Sequence, residues 1–249
     1  MSTLANVAIH RSQFPDQVHR DLLRSLRSRK VSHKFHYDSV KQTQKWLALH
    51  QQYSPSRNDR DCRAVYEQGF KAAVGRLKSK NVHLVGLGCG GGQKDTRLLK
   101  LLKASGKEAF YTPSDVATAM VLTARRQALE VCPGENCFPV VCDLETANDL
   151  PTVFDLPATR RAARIATFFG MIPNFEPVNI LPKLSSFVSK GDLLLVSANL
   201  APGKDYLAGI KRILPQYDNP LTRDWLLTFL MDLGIEKNDG ELIDRKSVV

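Results

Sequence analysis

Cysteine is scarce in this 249-residue sequence: there are five, an odd number, and Cys132, Cys137 and Cys142 are spaced without a C-x-x-C element of a zinc site. That argues against a disulfide scaffold and leads to the expectation of reduced thiols in a cytoplasmic protein. Long apolar runs are missing as well. Nothing approaches the roughly 18 uncharged residues a membrane span needs, and charges break up the first thirty residues, so neither a span nor a secretion signal is expected. Aromatics are only 8% of the chain, and their interleaving with basic residues is thin for a base-stacking platform. Internal repeats and low-complexity segments are absent. His33 and His36 lie three apart, but nothing supplies further ligands, so no metal is expected.

Acidic residues are in deficit at the front. Through residue 110 there are 21 Lys and Arg against 8 Asp and Glu; from 111 onward there are 14 against 17. A basic front half of this kind suits either a solvated helical face or a surface that tracks phosphates.

Apolar residues recur at three- and four-residue spacing over 13–30, 39–51 and 58–78, for instance Val65, Phe70, Val74 and Leu77, which predicts an opening helical layer. From residue 82 the pattern changes. Apolar runs at 82–87, 109–113, 138–142, 164–169 and 192–198 predict strands, with helices at 94–104, 116–130 and 178–188 between them. The crossover at 144–163 is the least defined, and the text beyond 200 is helical and punctuated by proline. This cadence predicts an α/β fold, a mostly parallel sheet with helices on both faces.

The string Val82-His-Leu-Val-Gly-Leu-Gly-Cys-Gly-Gly-Gly-Gln-Lys94 runs from a strand through a glycine cluster into an amphipathic helix. Glycine is needed where the backbone turns sharply and a ligand must approach it closely. Gly86, Gly88 and Gly91 also read as G-x-G-x-x-G, so a dinucleotide site is one candidate. Asp115 follows the second strand, where a carboxylate accepts hydrogen bonds from ribose hydroxyls, and Asp143 follows the third. Both lie at carboxyl ends of strands, the ligand-binding edge of open parallel sheets. The loop and the two aspartates suit S-adenosylmethionine, one nucleoside with a short amino-acid tail, better than a diphosphate-bridged dinucleotide.

The text Leu87-Gly-Cys-Gly-Gly-Gly-Gln-Lys-Asp-Thr-Arg-Leu-Leu99 resembles the cofactor loop of the histidine Nα-methyltransferases, whose loop reads L-G-S-G followed by a lysine and T-R-L-L. Lys34-Phe-His-Tyr-Asp38 is similar to that family's K-Y-F-Y-D segment, Gln52-Tyr-Ser-Pro-Ser-Arg57 to Y-Y-P-T-R, and Ile172-Pro-Asn-Phe-Glu-Pro177 to I-G-N-F-x-P. Tyr111-Thr-Pro-Ser-Asp115, Val141-Cys-Asp-Leu144 and Gly191-Asp-Leu-Leu-Leu195 resemble three successive strand termini. The series covers most of residues 30–230 in order.

The resemblance implies a Rossmann-type methyltransferase that uses S-adenosyl-L-methionine and N-methylates the α-amine of histidine or a related amino acid. It places Gly88, Gly90, Lys94, Asp115, Asp143 and Leu144 around the cofactor and Tyr53, Asn174 and Tyr217 around the acceptor; Tyr37, with Tyr53 on the helical front, is expected to close the substrate pocket. It implies a helical segment 1–80 that contributes to the substrate site, a core at 81–200 and a short substrate-subdomain segment at 201–249, with a small-molecule partner. A nucleic-acid methyltransferase and a non-catalytic relative that binds the cofactor are the alternatives. The sequence departs from the pattern at several points: Gly86 sits where many methyltransferases carry an acid two residues before the first loop glycine, Lys94 is followed by an extra Asp95, Pro173 replaces the family's glycine before the asparagine, and the family's Y-N-D triplet is matched only by Tyr217-Asp218-Asn219.

Overall fold

Six short parallel strands form the centre of the protein. The structure is a computed structural model that describes residues 4–236, 238–241 and 243. The strands are β1 (Ala8–Ile9), β2 (Asn81–Leu87), β3 (Glu108–Asp115), β4 (Val140–Val141), β5 (Ala163–Phe169) and β6 (Leu193–Ser197), in the spatial order β1-β4-β3-β2-β5-β6. Every pairing is parallel. The chain moves outward from β2 to β3 and β4, then returns to place β5 on the other side of β2, so the switch point lies between β2 and β5. In such sheets the crevice beyond the strand ends at this switch binds ligands.

Alternation along the strands divides the core in two. Val82 and Leu84 of β2 face one side, against Phe70, Leu98 and Leu102. Val85 and Leu87 face the other, against Phe168, Leu184 and Phe187. A strand buried on both faces reads as a continuous apolar run, which is why the sequence announces β2 and β5 clearly. Helices α4 (Arg60–Arg76), α5 (Gln93–Ala104) and α6 (Thr118–Ala128) pack on the first side; α7 (Leu150–Val153) and α8 (Pro177–Phe187) on the second. The inward face of α4 is Phe70, Ala73 and Val74, whereas Val65 is 68% exposed and lies off that stripe. The ill-defined crossover resolves into α7 and a 3-10 turn at Pro157–Thr159.

The helical layer is α1 (Pro15–Ser28), α2 (Val40–Tyr53), α3 (Pro55–Asn58) and α4. Helix α2 starts at a capping box, in which Ser39 accepts from the Gln42 amide while Gln42 reaches back to the Ser39 amide. After α9 (Tyr206–Ile213), helix α10 (Pro220–Asp232) packs against α2, with Lys45 Nζ 2.8 Å from Asp224 and Trp225 Nε1 donating to the His36 carbonyl at 2.7 Å. One strand expectation needs correction: the run at 138–142 forms only the two-residue β4, and β1, for which no strand was expected, pairs with it. Among the described residues no helix is long and apolar enough to cross a membrane.

Candidate functional site

The site begins where β2 runs out. Gly88, Gly90 and Gly92 have φ of +68°, +51° and +77°, a left-handed backbone that side chains disfavour, and α5 starts immediately after Gly92. Two hydrogen bonds tie the loop to the end of β3. The Cys89 amide donates to the Ser114 carbonyl at 2.9 Å, and the Gly90 amide donates to Asp115 Oδ2 at 3.0 Å.

Asp115 is 9% exposed. Its Oδ1 accepts from the Ala117 amide at 3.3 Å, so backbone amides engage both carboxylate oxygens. Burial raises this carboxyl to about 6, opposed by the Gly90, Ala117 and Val116 amides. A small cavity of about 10 Å³ lies beside it, walled by His33, Gly88, Val116, Cys142, Leu144, Met171 and Phe175. On the far side of Gly88 a second cavity of about 60 Å³ is bounded by Gly90, Lys94, Asp95, Trp46, His50 and Thr167, among others.

Two side chains occupy the space in front of the loop. A Cβ on Gly88 would lie 2.7 Å from Met171 Sδ and Cε, and one on Gly90 would lie 3.0 Å from Trp46 Cη2. The bare backbone thus makes a cradle in which Met171 and Trp46 now rest. Trp46 stacks on His50 at 4.9 Å, and Tyr37 lies 6.0 Å from Trp46 and 5.3 Å from Trp225. Burial, with the charge of Asp115 adding to it, raises the Tyr37 phenol well above its ordinary value. Burial, reinforced by Lys94 and Arg57, holds the His50 imidazole at about 3, neutral at physiological pH. The Lys94 ammonium sits 5.4 Å over Tyr66 and 5.9 Å over Phe169, and burial lowers its pKa.

The structure brings Gly88, Gly90, Lys94, Asp115 and Leu144 to the walls of the two cavities. Asp143 is elsewhere engaged. Its Oδ2 accepts from Lys34 Nζ at 3.1 Å and Thr146 Oγ1 at 3.0 Å, and its Oδ1 from the Glu145 amide at 2.9 Å. Lys34 also reaches Asp21 at 2.7 Å, so Asp143 closes a buried ion triplet that fastens the helical layer to the end of β4. Asp143, expected around the cofactor, thus has its carboxylate engaged by Lys34, Thr146 and the Glu145 amide and lines neither cavity.

None of the four acceptor candidates lines either cavity. Tyr53 hydrogen-bonds its neighbour Gln52 at 3.5 Å, and Tyr217 is 51% exposed with its hydroxyl accepting from Asn199 at 3.3 Å. Asn174 Nδ2 points to Met171 Sδ at 3.8 Å and touches the site only through that residue. Tyr37 is directed toward Asp115 and Trp46, at the roof. Sequence reasoning missed Met171, Trp46 and His50. The last two are four residues apart on α2, and one of only two tryptophans was the available signal.

A glycine cradle at the switch point with a buried carboxylate beside it is the arrangement in which open parallel sheets receive a nucleoside, once Met171 and Trp46 leave the cradle. It is the arrangement expected of an adenosylmethionine-dependent methyltransferase. A family model described as histidine-specific methyltransferase, SAM-dependent, matches residues 16–210. The chain belongs to that family. A comparison with curated proteins finds no match.

Among solved structures the chain is similar to a geranyl diphosphate methyltransferase in complex with geranyl diphosphate and sinefungin (13% identity, TM-score 0.40, 67% of this chain and 58% of that one). It is also similar to the geranyl diphosphate C-methyltransferase of Streptomyces coelicolor (14%, 0.40, 67% and 57%) and to a SAM-dependent methyltransferase of Geobacter sulfurreducens bound to S-adenosyl-L-homocysteine (11%, 0.39, 67% and 83%). The chain therefore spans under two thirds of the length of the first two.

Proposed function

We propose that the protein transfers a methyl group to the α-amine of histidine or a related amino acid. The observation that carries this reading is the extent of the family match. It begins at residue 16 and so includes the helical layer, whose Tyr37 and Trp46 close over the glycine loop, as well as the sheet. On this reading the helical layer above the donor loop meets the acceptor.

When bound, S-adenosylmethionine supplies a methyl carbon already activated by a sulfonium. The chain's own work is positional. Asp115 offers its carboxylate oxygens to a ribose diol, Leu144, Val116 and Phe175 offer apolar contacts to a base, and Lys94 offers a cation to a carboxylate. Tyr37, Trp46 and Met171 cover the loop and exclude water from it. An α-amine must be unprotonated to attack, so transfer is expected to rise with pH toward the pKa of the acceptor.

One observation favours a second reading. Beside Lys94 lies an open basin of about 430 Å³ lined by Arg57, Arg63 and Arg97, which suits a phosphate-bearing acceptor such as RNA. Incubation with methyl-labelled donor and a panel of histidine, tryptophan derivatives and short RNAs, followed by mass spectrometry, separates the two. The proposal predicts label on the amino nitrogen of histidine or a close relative. Label on RNA alone, lost steeply with salt, would replace it with the second reading.

A further inference from the structure

Two departures in the glycine motif turn out to be one feature. Gly86 lacks the acid found there in many methyltransferases, and the space in front of it is taken by Asp95 from the first turn of α5: a Cβ on Gly86 would collide with Asp95 Oδ2. Asp95 is 3% exposed. Its Oδ2 accepts from the Tyr111 hydroxyl at 2.8 Å and its Oδ1 from Thr167 Oγ1 at 2.8 Å. Both donors are neutral, and among the described residues Lys94, its chain neighbour, stabilises its charge only through space.

A carboxylate buried this deeply on neutral donors lacks the direct countercharge that burial normally demands. Burial accordingly raises it to about 6, still ionised at neutral pH. The cavity of about 60 Å³ that it borders also holds Lys94, Gly88 and Gly90. His50 there is neutral, so the charged groups on this wall are one anion and one cation. A zwitterion is the ligand that satisfies both.

We propose that Asp95 binds the α-ammonium of the donor's amino-acid tail, with Lys94 taking its carboxylate, so that the acid missing from β2 is supplied by α5. This rests on adenosylmethionine being the ligand of the cleft. It also explains Gly86, since any side chain there would exclude Asp95.

The test compares two ligands on the purified protein by calorimetry. S-adenosylhomocysteine carries both tail charges; its deaminated analogue, ending in a butanoate, keeps the carboxylate and lacks the ammonium. The wild type is expected to prefer S-adenosylhomocysteine by about tenfold or more, the scale of one charge-assisted hydrogen bond. Asp95→Asn is expected to bring the ratio close to one by weakening S-adenosylhomocysteine alone. A purely structural role for Asp95 would weaken both ligands equally and leave the ratio unchanged, which would overturn the proposal. Should Asp95→Asn not fold, Asp95→Ser gives the same readout, with the same collapse expected. Absence of preference in the wild type would overturn the ammonium site alone, whereas failure of both ligands to bind would overturn the donor reading beneath it.

Discussion

The Gly90 amide donates to Asp115 Oδ2 at 3.0 Å, so the loop that must receive a ligand is held by the carboxylate that must recognise it. The bond leaves the glycine loop formed in the free protein, and a ligand need not pay the entropy of ordering it.

The same carboxylate is costly to keep ionised. It titrates near 6 in the folded protein, against 3.8 for the free side chain. The native state therefore holds the proton more tightly than the unfolded chain. Its contribution to stability is fully present below about pH 4, is lost as pH rises through about 6, and is constant above that. Asp115→Asn is expected to show a shallower fall in urea midpoint between those limits than the wild type. Equal slopes would show that Asp115 is not buried as described.

Lys34 carries a separate structural prediction. It bridges Asp21 at 2.7 Å and Asp143 at 3.1 Å, and all three side chains are at most 5% exposed. Lys34→Met leaves the buried Asp143 carboxylate without its cation and Asp21 with only the exposed Arg24, 3.3 Å away, which should cost about 3–5 kcal/mol. Urea denaturation measures this. A loss of under about 1 kcal/mol would mean the triplet behaves like an exposed pair.

Trp46 offers an optical handle. There are two tryptophans, and only Trp46 lies against the glycine loop, whereas Trp225 packs on Tyr37 and His36 and donates to the His36 carbonyl. In Trp225→Phe the remaining emission is expected to change on saturation with S-adenosylhomocysteine, because a ligand on Gly88 and Gly90 must displace or cover the indole. In Trp46→Phe the change should largely vanish. A response confined to Trp225 would place the ligand elsewhere.

Much of this architecture is legible in the sequence because strands buried on both faces write themselves as apolar runs, and glycine clusters mark sharp turns. β2, β5, the loop and Asp115 are local in this sense. What escapes is what depends on partners far along the chain. Asp143 looks like a ligand group at a strand end until Lys34, 109 residues away, is found on it. Asp95 looks like an insertion until its carboxylate is seen in front of Gly86. Tyr53 and Tyr217 resemble family positions, yet they hydrogen-bond Gln52 and Asn199 away from the cavity walls. β1 is two residues long, too short for any periodicity.

Titration calorimetry with S-adenosylhomocysteine, on the wild type and on Asp115→Ala, tests the central claim most directly. One molecule should bind per chain, and the variant should lose affinity by at least about tenfold, the equivalent of roughly 1.5–3 kcal/mol in hydrogen bonds to a charged group. An affinity that survives the substitution unchanged, or a wild type that takes up no ligand, would contradict the assignment of this cleft to the methyl donor.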